Sequence, residues 1–360
     1  MKAAVCYEFG KPLVIEEIEL DPPQRGEVKV RMAATAICHS DIHALKGDWG
    51  GTVPVVVGHE AAGIVEEVGE NVTLARPGDH VVVSLLRSCG RCFYCTTGSP
   101  HLCEAEFALT TESRLHNKQG QEIRQGIKTA AFAEYVVVDQ SQVIQVPPEM
   151  PLDSAALLAC GVITGLGAVV NTAKVEPESS AVVIGLGGVG LSAVQGAALA
   201  GAYPIIALDL LQSKLAVAGL FGATHTVLAG QPEEAELMVK ELTDGRGADY
   251  VFVTVGSVPA LTQAFSLIRR GGTIVIVGIP EASARLAFAI SQCVWSEQRI
   301  IGSSMGSTRL RVDVPRLVKL YQHGRLKLDE MISARYPLEQ INEAIAAVEK
   351  GEALRNVIVF

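Results

Sequence analysis

The sequence predicts an α/β protein in two parts: a doubly wound parallel sheet with crossover helices, and a second domain that is mainly β. Three observations carry this. The chain has 360 residues, more than one hydrophobic core usually supports. Up to about residue 160 it reads as short strand-like runs cut by Gly and Pro turns. From about 180 apolar runs alternate with helical stretches, and strands joined by such crossovers imply a parallel sheet.

In chain order, the first part offers strands at 27–33, 61–68, 79–85 and 132–138, with a polar surface loop expected at 112–128. Residues 153–173, rich in Ala, Leu and other small residues, predict a helix leading from one domain to the other. Strands of the parallel sheet are expected at 181–186, 204–210, 225–229, 249–255, 273–279 and 299–305. Two helical segments (315–323 and 338–350) and a last strand (356–360) fall outside that alternation and should return to the first domain. The domains are therefore drawn as 1–160 with 304–360, and 161–303.

Composition excludes several classes of function. With 49% apolar and 19% charged residues the chain is an ordinary globular one, not a disordered one. A formal net charge of −9, with no basic run longer than two residues, leaves no electrostatic footprint for nucleic acid or an anionic membrane. The N-terminus lacks the apolar core and cleavage site of a signal peptide, so a cytoplasmic location is expected. The uncharged stretch 179–208 is long enough to suggest a membrane span. Its glycines and Pro204 fit strand, turn, helix and strand better.

Cys89, Cys92, Cys95 and Cys103 follow a C-x2-C-x2-C-x7-C spacing in a Gly-containing loop. Four thiolates turned to one point complete the closed tetrahedral shell of a structural zinc. Disulfides and an iron–sulfur cluster are the alternatives, the former disfavoured in a reducing compartment. Gly185-Leu186-Gly187-Gly188-Val189-Gly190 fits G-x-G-x-x-G directly after an apolar strand and opens a small-residue helix, the context that gives this pattern meaning. The helix start then offers amides to a pyrophosphate. Asp209 stands 19 residues beyond Gly190, at the end of the next strand. A carboxylate there accepts from both ribose hydroxyls and repels a 2′-phosphate, so NAD is preferred to NADP. Leu210 and Leu211 stand where an NADP site would carry Arg. As alternatives, Asp209 is a strand-end turn residue, and Lys214, which could reach the same ribose, a solvated helix-face residue.

Motifs spread over nearly the whole chain carry a family resemblance. They are Cys38-His39-Ser40-Asp41-Ile42-His43, Gly58-His59-Glu60-Ala61-Ala62-Gly63, the four-cysteine loop, Cys160-Gly161-Val162-Ile163-Thr164-Gly165, the glycine fingerprint and Arg355. With them the sequence resembles the zinc-containing medium-chain alcohol dehydrogenases, in particular the class I and class III type. That resemblance implies a Rossmann-type cofactor domain beside a GroES-like catalytic domain, and a homodimer. It selects Cys38, His59 and Cys160 as ligands of a second, catalytic zinc, two ions per chain in all, with three protein ligands leaving a position open. Glu60 is implied behind the metal or as a transient ligand, and Asp41 as the outer partner that fixes the His59 tautomer. Ser40 and His43 are implied as a proton relay, His39 and Arg355 as pyrophosphate contacts, and Thr164 as a neighbour of the nicotinamide. Trp49, Leu85 and Ile279 are candidate lining residues of an apolar pocket, Ile279 being counted with the cofactor-binding set.

The resulting expectation is a zinc-dependent oxidoreductase interconverting an alcohol and its aldehyde or ketone with NAD. One alternative is a class III-like dehydrogenase of a formaldehyde–thiol adduct. That class carries an acidic residue and an Arg where this chain has Trp49 and Phe107. A more distant alternative is a non-catalytic relative without metal, which would lack the ligands retained here.

Overall fold

The apolar runs after residue 180 become strands buried on both faces. Ala181–Ile184 and Ile205–Asp209 are buried at every position, which is why they read as unbroken apolar runs rather than alternating ones. In the computed structural model, which describes residues 1–351 and 353–360 with every side chain among them except that of Gln292, these strands lie in a six-stranded parallel sheet. Its order is His225–Leu228, Ile205–Asp209, Ala181–Ile184, Ala248–Val253, Ile268–Ile276, Arg299–Gly302. Numbered along the chain that is 3-2-1-4-5-6, with the direction of winding reversed beside the first strand, the point where doubly wound sheets bind ligands. The stretch 179–208 resolves into two of these strands and the helix Gly188–Ala200. No single helix among the described residues is long and apolar enough to cross a membrane.

This sheet belongs to one of two compact units, Gly161–Thr308; the other is Met1–Cys160 with Arg309–Phe360. The second is built on a seven-stranded sheet ordered Val143–Gln145, His80–Val83, Glu60–Val68, Glu27–Ala36, Arg355–Val359, Ile332–Pro337, with Tyr135–Asp139 also paired to Glu27–Ala36. Val28, Val30, Met32, Val81, Val83, Val136 and Val138 form the core on one of its faces. Burying each such side chain contributes about 1.5–3 kcal/mol, before the chain entropy that opposes it.

Three sequence expectations change. The stretch 112–128 is not simply a loop, because Leu115 and Ile123 are buried under polar neighbours. They anchor the short strands Leu115–His116 and Glu122–Gln125 in a four-stranded sheet with Glu19–Leu20 and Val55–Val56. Residues 153–173 are not one helix: Leu152–Ala156 tightens into a 3-10 turn at Leu157–Ala159, and Cys160 leaves helical geometry at φ −145°, ψ −69° before Gly161–Gly167 begins. The strand Ile332–Pro337 was not expected; it pairs in parallel with Arg355–Val359.

Candidate active site and metal centres

The strand Glu27–Ala36 delivers the chain to Cys38, which holds an extended conformation (φ −105°, ψ 151°) and caps the helix His39–Lys46. His59 immediately precedes the strand Glu60–Val68. Its position depends on Gly58, which has φ +98° and where a Cβ would fall 2.6 Å from Phe132 Cδ1. Cys160 sits at the break between the two helical segments. The Sγ atoms of Cys38 and Cys160, a ring nitrogen of His59 and a carboxylate oxygen of Glu60 all lie within 4.8 Å of one another, and all four residues are buried.

One carboxylate organises this set. Asp41, fully buried, accepts from the Cys38 amide (3.0 Å), the Gly58 amide (3.0 Å) and His59 Nδ1 (2.9 Å). That leaves His59 Nε2, buried and without a hydrogen-bond partner among the described residues. A ring nitrogen oriented from behind and converging with two thiols is the donor set of zinc. The protonation pattern agrees. A hydrogen bond from the Cys160 thiol holds Cys38 well below the ordinary thiol range against burial, and the same bond, helped by burial, pushes Cys160 well above it. Burial disfavours a charged His59, yet Asp41 carries it well above the usual imidazole value. These are protons that a metal displaces on binding. Burial pushes Glu60 up to about 8 against the pull of Arg355, whose Nη2 lies 3.0 Å from its Oε1. Arg355 also donates to the Ile37 carbonyl at 3.2 Å. Its buried guanidinium is thus engaged behind Glu60.

Ser40 and His43 lie three residues apart on the helix His39–Lys46 and so share a face; Ser40 is partly buried, and His39 is exposed. His43 Nδ1 lies 2.7 Å from Asp48 Oδ2, and its ring stacks on Trp49 at 5.2 Å between centroids. In the sequence Asp48 stands out only as an acidic residue one place from Trp49; its pairing with His43 was missed, although its place five residues after His43, past the left-handed Gly47, was a usable signal. Leu85 is partly buried, next to the fully buried Ser84.

In the four-cysteine loop the sulfurs of Cys89, Cys92, Cys95 and Cys103 also lie within 4.8 Å of one another. Backbone amides turn toward them, from Cys89 to Cys103 Sγ (3.3 Å) and from Cys92 to Cys89 Sγ (3.3 Å). Amides of Cys95 and Glu104 hold the Cys92 thiol down to about 6, whereas burial pushes Cys95 up to about 12. The set fits a closed tetrathiolate shell.

In the unit Gly161–Thr308, Gly185 turns the chain at φ +92° and Gly187 caps the helix that starts at Gly188 and Val189. A Cβ on Gly187 would meet nothing within 4 Å, so the approach to the helix amides is open, whereas one on Gly190 would fall 1.7 Å from the Gly185 carbonyl oxygen. The carboxylate of Asp209 accepts from the amides of Leu186 (2.6 Å) and Leu211 (2.9 Å), which fixes it beside the glycine turn. Thr254, not singled out from sequence, donates from Oγ1 to the Gly185 carbonyl at 2.7 Å. Lys214 is partly buried on the helix Gln212–Ala218, Thr164 is buried with Oγ1 3.7 Å from Met305 Sδ, and Ile279 is exposed.

Comparison with known proteins points the same way. Residues 24–148 match the alcohol dehydrogenase GroES-like domain, and residues 188–323 the zinc-binding dehydrogenase domain. The chain is 39% identical to the NDMA-dependent alcohol dehydrogenase of Amycolatopsis methanolica over 99% of this chain and 98% of that one. It is also 39% identical to the S-(hydroxymethyl)glutathione dehydrogenase of Saccharomyces cerevisiae, over 99% and 95%. Among solved structures, the benzyl alcohol dehydrogenase of Acinetobacter calcoaceticus superposes with a TM-score of 0.92 at 32% identity, over 100% of this chain and 99% of that one. With two metal-donor sets, a glycine turn built for a nicotinamide cofactor and relatives alike over their whole length, the chain belongs to the medium-chain zinc alcohol dehydrogenases and is an alcohol oxidoreductase.

Proposed function

We propose that this enzyme interconverts an alcohol and its aldehyde or ketone with NAD, using a catalytic zinc held by Cys38, His59 and Cys160 and a structural zinc held by Cys89, Cys92, Cys95 and Cys103. The observation that carries this is the buried, unpartnered Nε2 of His59, converging with two thiols while Asp41 holds the other ring nitrogen. When bound, the metal supplies a Lewis acid for the substrate oxygen and the nicotinamide a hydride acceptor. Ser40 would take the alcohol proton and pass it through the nicotinamide-ribose hydroxyls to His43, which releases it to water, its Nδ1 held by Asp48 so that Nε2 is left as the base. Glu60, backed by Arg355, would offer a further carboxylate ligand beside Cys38, His59 and Cys160. NAD is favoured over NADP by the Asp209 carboxylate and by the absence of a cation at Leu210 and Leu211.

Trp49 and Phe107, where a thiol-adduct enzyme carries charge, support a hydrophobic alcohol over a formaldehyde–thiol adduct. Thiolate ligand sets suit a reducing compartment, and the cytoplasm is the location we assign. A homodimer is supported by the open edge of Arg299–Gly302 and by the neighbouring helix Ile290–Ser296, which exposes Ile290, Val294 and Trp295. The test is metal analysis of the purified protein, followed by a screen of alcohols and aldehydes with NAD and NADP. Two zinc ions per chain and NAD-linked turnover are expected. Full turnover without zinc would end the reading.

A further inference from the structure

Outside the ligand sets, one buried polar path is unusually complete. It begins where the chain breaks from helix at Cys160. There the carbonyl of Ala159 accepts a hydrogen bond from Ser84 Oγ at 2.7 Å, between residues 75 apart and both wholly buried. Ser84 is in turn gripped on both sides of its backbone by Gln142: its amide donates to the Gln142 carbonyl (2.9 Å), and its carbonyl accepts from Gln142 Nε2 (2.8 Å). Gln142, also wholly buried, is saturated. Nε2 donates a second time to the Lys128 carbonyl, and Oε1 accepts from the Asp139 amide and from Arg87 Nε at 2.8 Å.

Arg87 ends the path two residues before Cys89. Its guanidinium is buried, lies over the Phe107 ring and donates to Thr110 Oγ1 and the Lys128 carbonyl, so the hydrogen bonds it makes go to neutral acceptors. A buried cation placed this way costs desolvation energy, and burial pulls Arg87 below its ordinary value. The next amide along, that of Ser88, is also committed, donating to Ser141 Oγ at 3.0 Å. The approach to Cys89, the first cysteine of the four-cysteine loop (the lobe), is thus held residue by residue to the segment that holds Ser84.

We infer that Ser84 is a positioning residue for Cys160, and that Gln142 and Arg87 tie it to the four-cysteine loop, so that metal in the loop steadies the catalytic ligand. This rests on the metal assignments proposed above. Its physical content is geometric. A metal ligand must be held to within about half an ångström, and loss of an outer partner typically costs about 10–100-fold in metal affinity or activity. Ser84 acts on Cys160 through the neighbouring carbonyl, while Asp41 acts on Cys38 and His59, so the two halves of the ligand set have separate supports.

The experiment uses the full-length enzyme carrying cobalt(II) in the three-ligand site and zinc in the lobe. Three readings are taken: the thiolate-to-cobalt absorption band, the rate of cobalt release to a chelator and the count of lobe zinc. Ser84→Ala should shift the band and speed release about tenfold, while lobe zinc stays unchanged. Arg87→Met, which cuts the path without touching a ligand, should act in the same direction by a smaller factor. Cys92→Ser, which opens the lobe, should disturb the cobalt site less in the Ser84→Ala background than in the parent, as a shared path requires. If Ser84→Ala keeps the parental band and release rate, the positioning role is wrong. If Ser84→Ala responds but Arg87→Met does not, the tie to the lobe is wrong. A parent enzyme that takes up no cobalt at Cys38, His59 and Cys160 overturns the metal assignment itself, and the inference with it.

Discussion

Replacing Asp209 with Gly should reverse much of the cofactor preference, and the structure sets the size of the effect. A carboxylate has about four lone-pair sites. Two are taken by the amides of Leu186 and Leu211, leaving two for the pair of ribose hydroxyls. A hydrogen bond to a charged acceptor contributes about 1.5–3 kcal/mol net of water, so losing both should weaken NAD about 100-fold or more. For NADP the lost term is repulsive. Two unit charges about 4 Å apart interact by about 4 kcal/mol near a protein surface, but Leu210 and Leu211 supply nothing to attract the phosphate. Salt screening reduces that repulsion, so NADP use should rise about tenfold or more, and the NAD-to-NADP ratio of kcat/KM should fall about 1,000-fold or more. Asp209→Asn is the control, since it retains one acceptor for the amides while losing the charge. It should fall between the parent and Asp209→Gly. An unchanged ratio in both variants, with both folded, would show that the carboxylate does not read the ribose.

Three further outcomes are expected. His43→Gln should slow pre-steady-state NADH formation about tenfold or more below about pH 8, with zinc and NAD affinity unchanged and partial rescue by added imidazole; superimposable pH profiles would remove His43 from the relay. Cys92→Ser should lose the lobe zinc and lower the melting temperature, and a variant that keeps both its zinc count and its melting temperature would contradict the structural role. Burial opposes charge on Asp249, but the Ser180 hydroxyl and amide and Arg269 hold its carboxyl below the usual carboxylate range. A carboxyl depressed in the folded state stabilises above its unfolded value of about 3.9 and loses that contribution as pH falls through the lower folded value. The stability gap between the parent and Asp249→Asn should thus be full at pH 7 and close below about pH 4, as read by urea unfolding; a gap independent of pH would show that the charge is idle.

The cofactor-binding half was legible because its determinants are local. Ala181–Ile184 and Ile205–Asp209 are buried on both faces, so their apolar runs are continuous, and the glycines that the turn requires are neighbours in sequence. The metal donors were less so. The four-cysteine loop announces itself by spacing, but Cys38 and His59 are joined by Cys160 from about a hundred residues further along the chain, and only resemblance to a family linked the three. Supports made by backbone groups left no pattern to read. Ser84 answers a carbonyl 75 residues away, and Gln142 holds Ser84 across 58. The helix 153–173 was overextended because its composition is helical throughout; the break at Cys160 is a tertiary demand. The strand Ile332–Pro337 was overlooked because its polar, half-exposed residues carry no strong apolar signal.

The strand Arg355–Val359 lies between Glu27–Ala36 and Ile332–Pro337 in the seven-stranded sheet, and Arg355 supports Glu60. During synthesis this strand follows the whole of Gly161–Thr308. The cofactor-binding unit is continuous in sequence and has all its strands in hand before the other unit can close. Until Arg355–Val359 leaves the ribosome, Glu27–Ala36 has a free edge along Ala34–Ala36, and Glu60 has no guanidinium beside it. A chain that folds as it is made therefore passes through a stage with one unit formed and the other open-edged, the state in which sheet proteins are most exposed to misassembly.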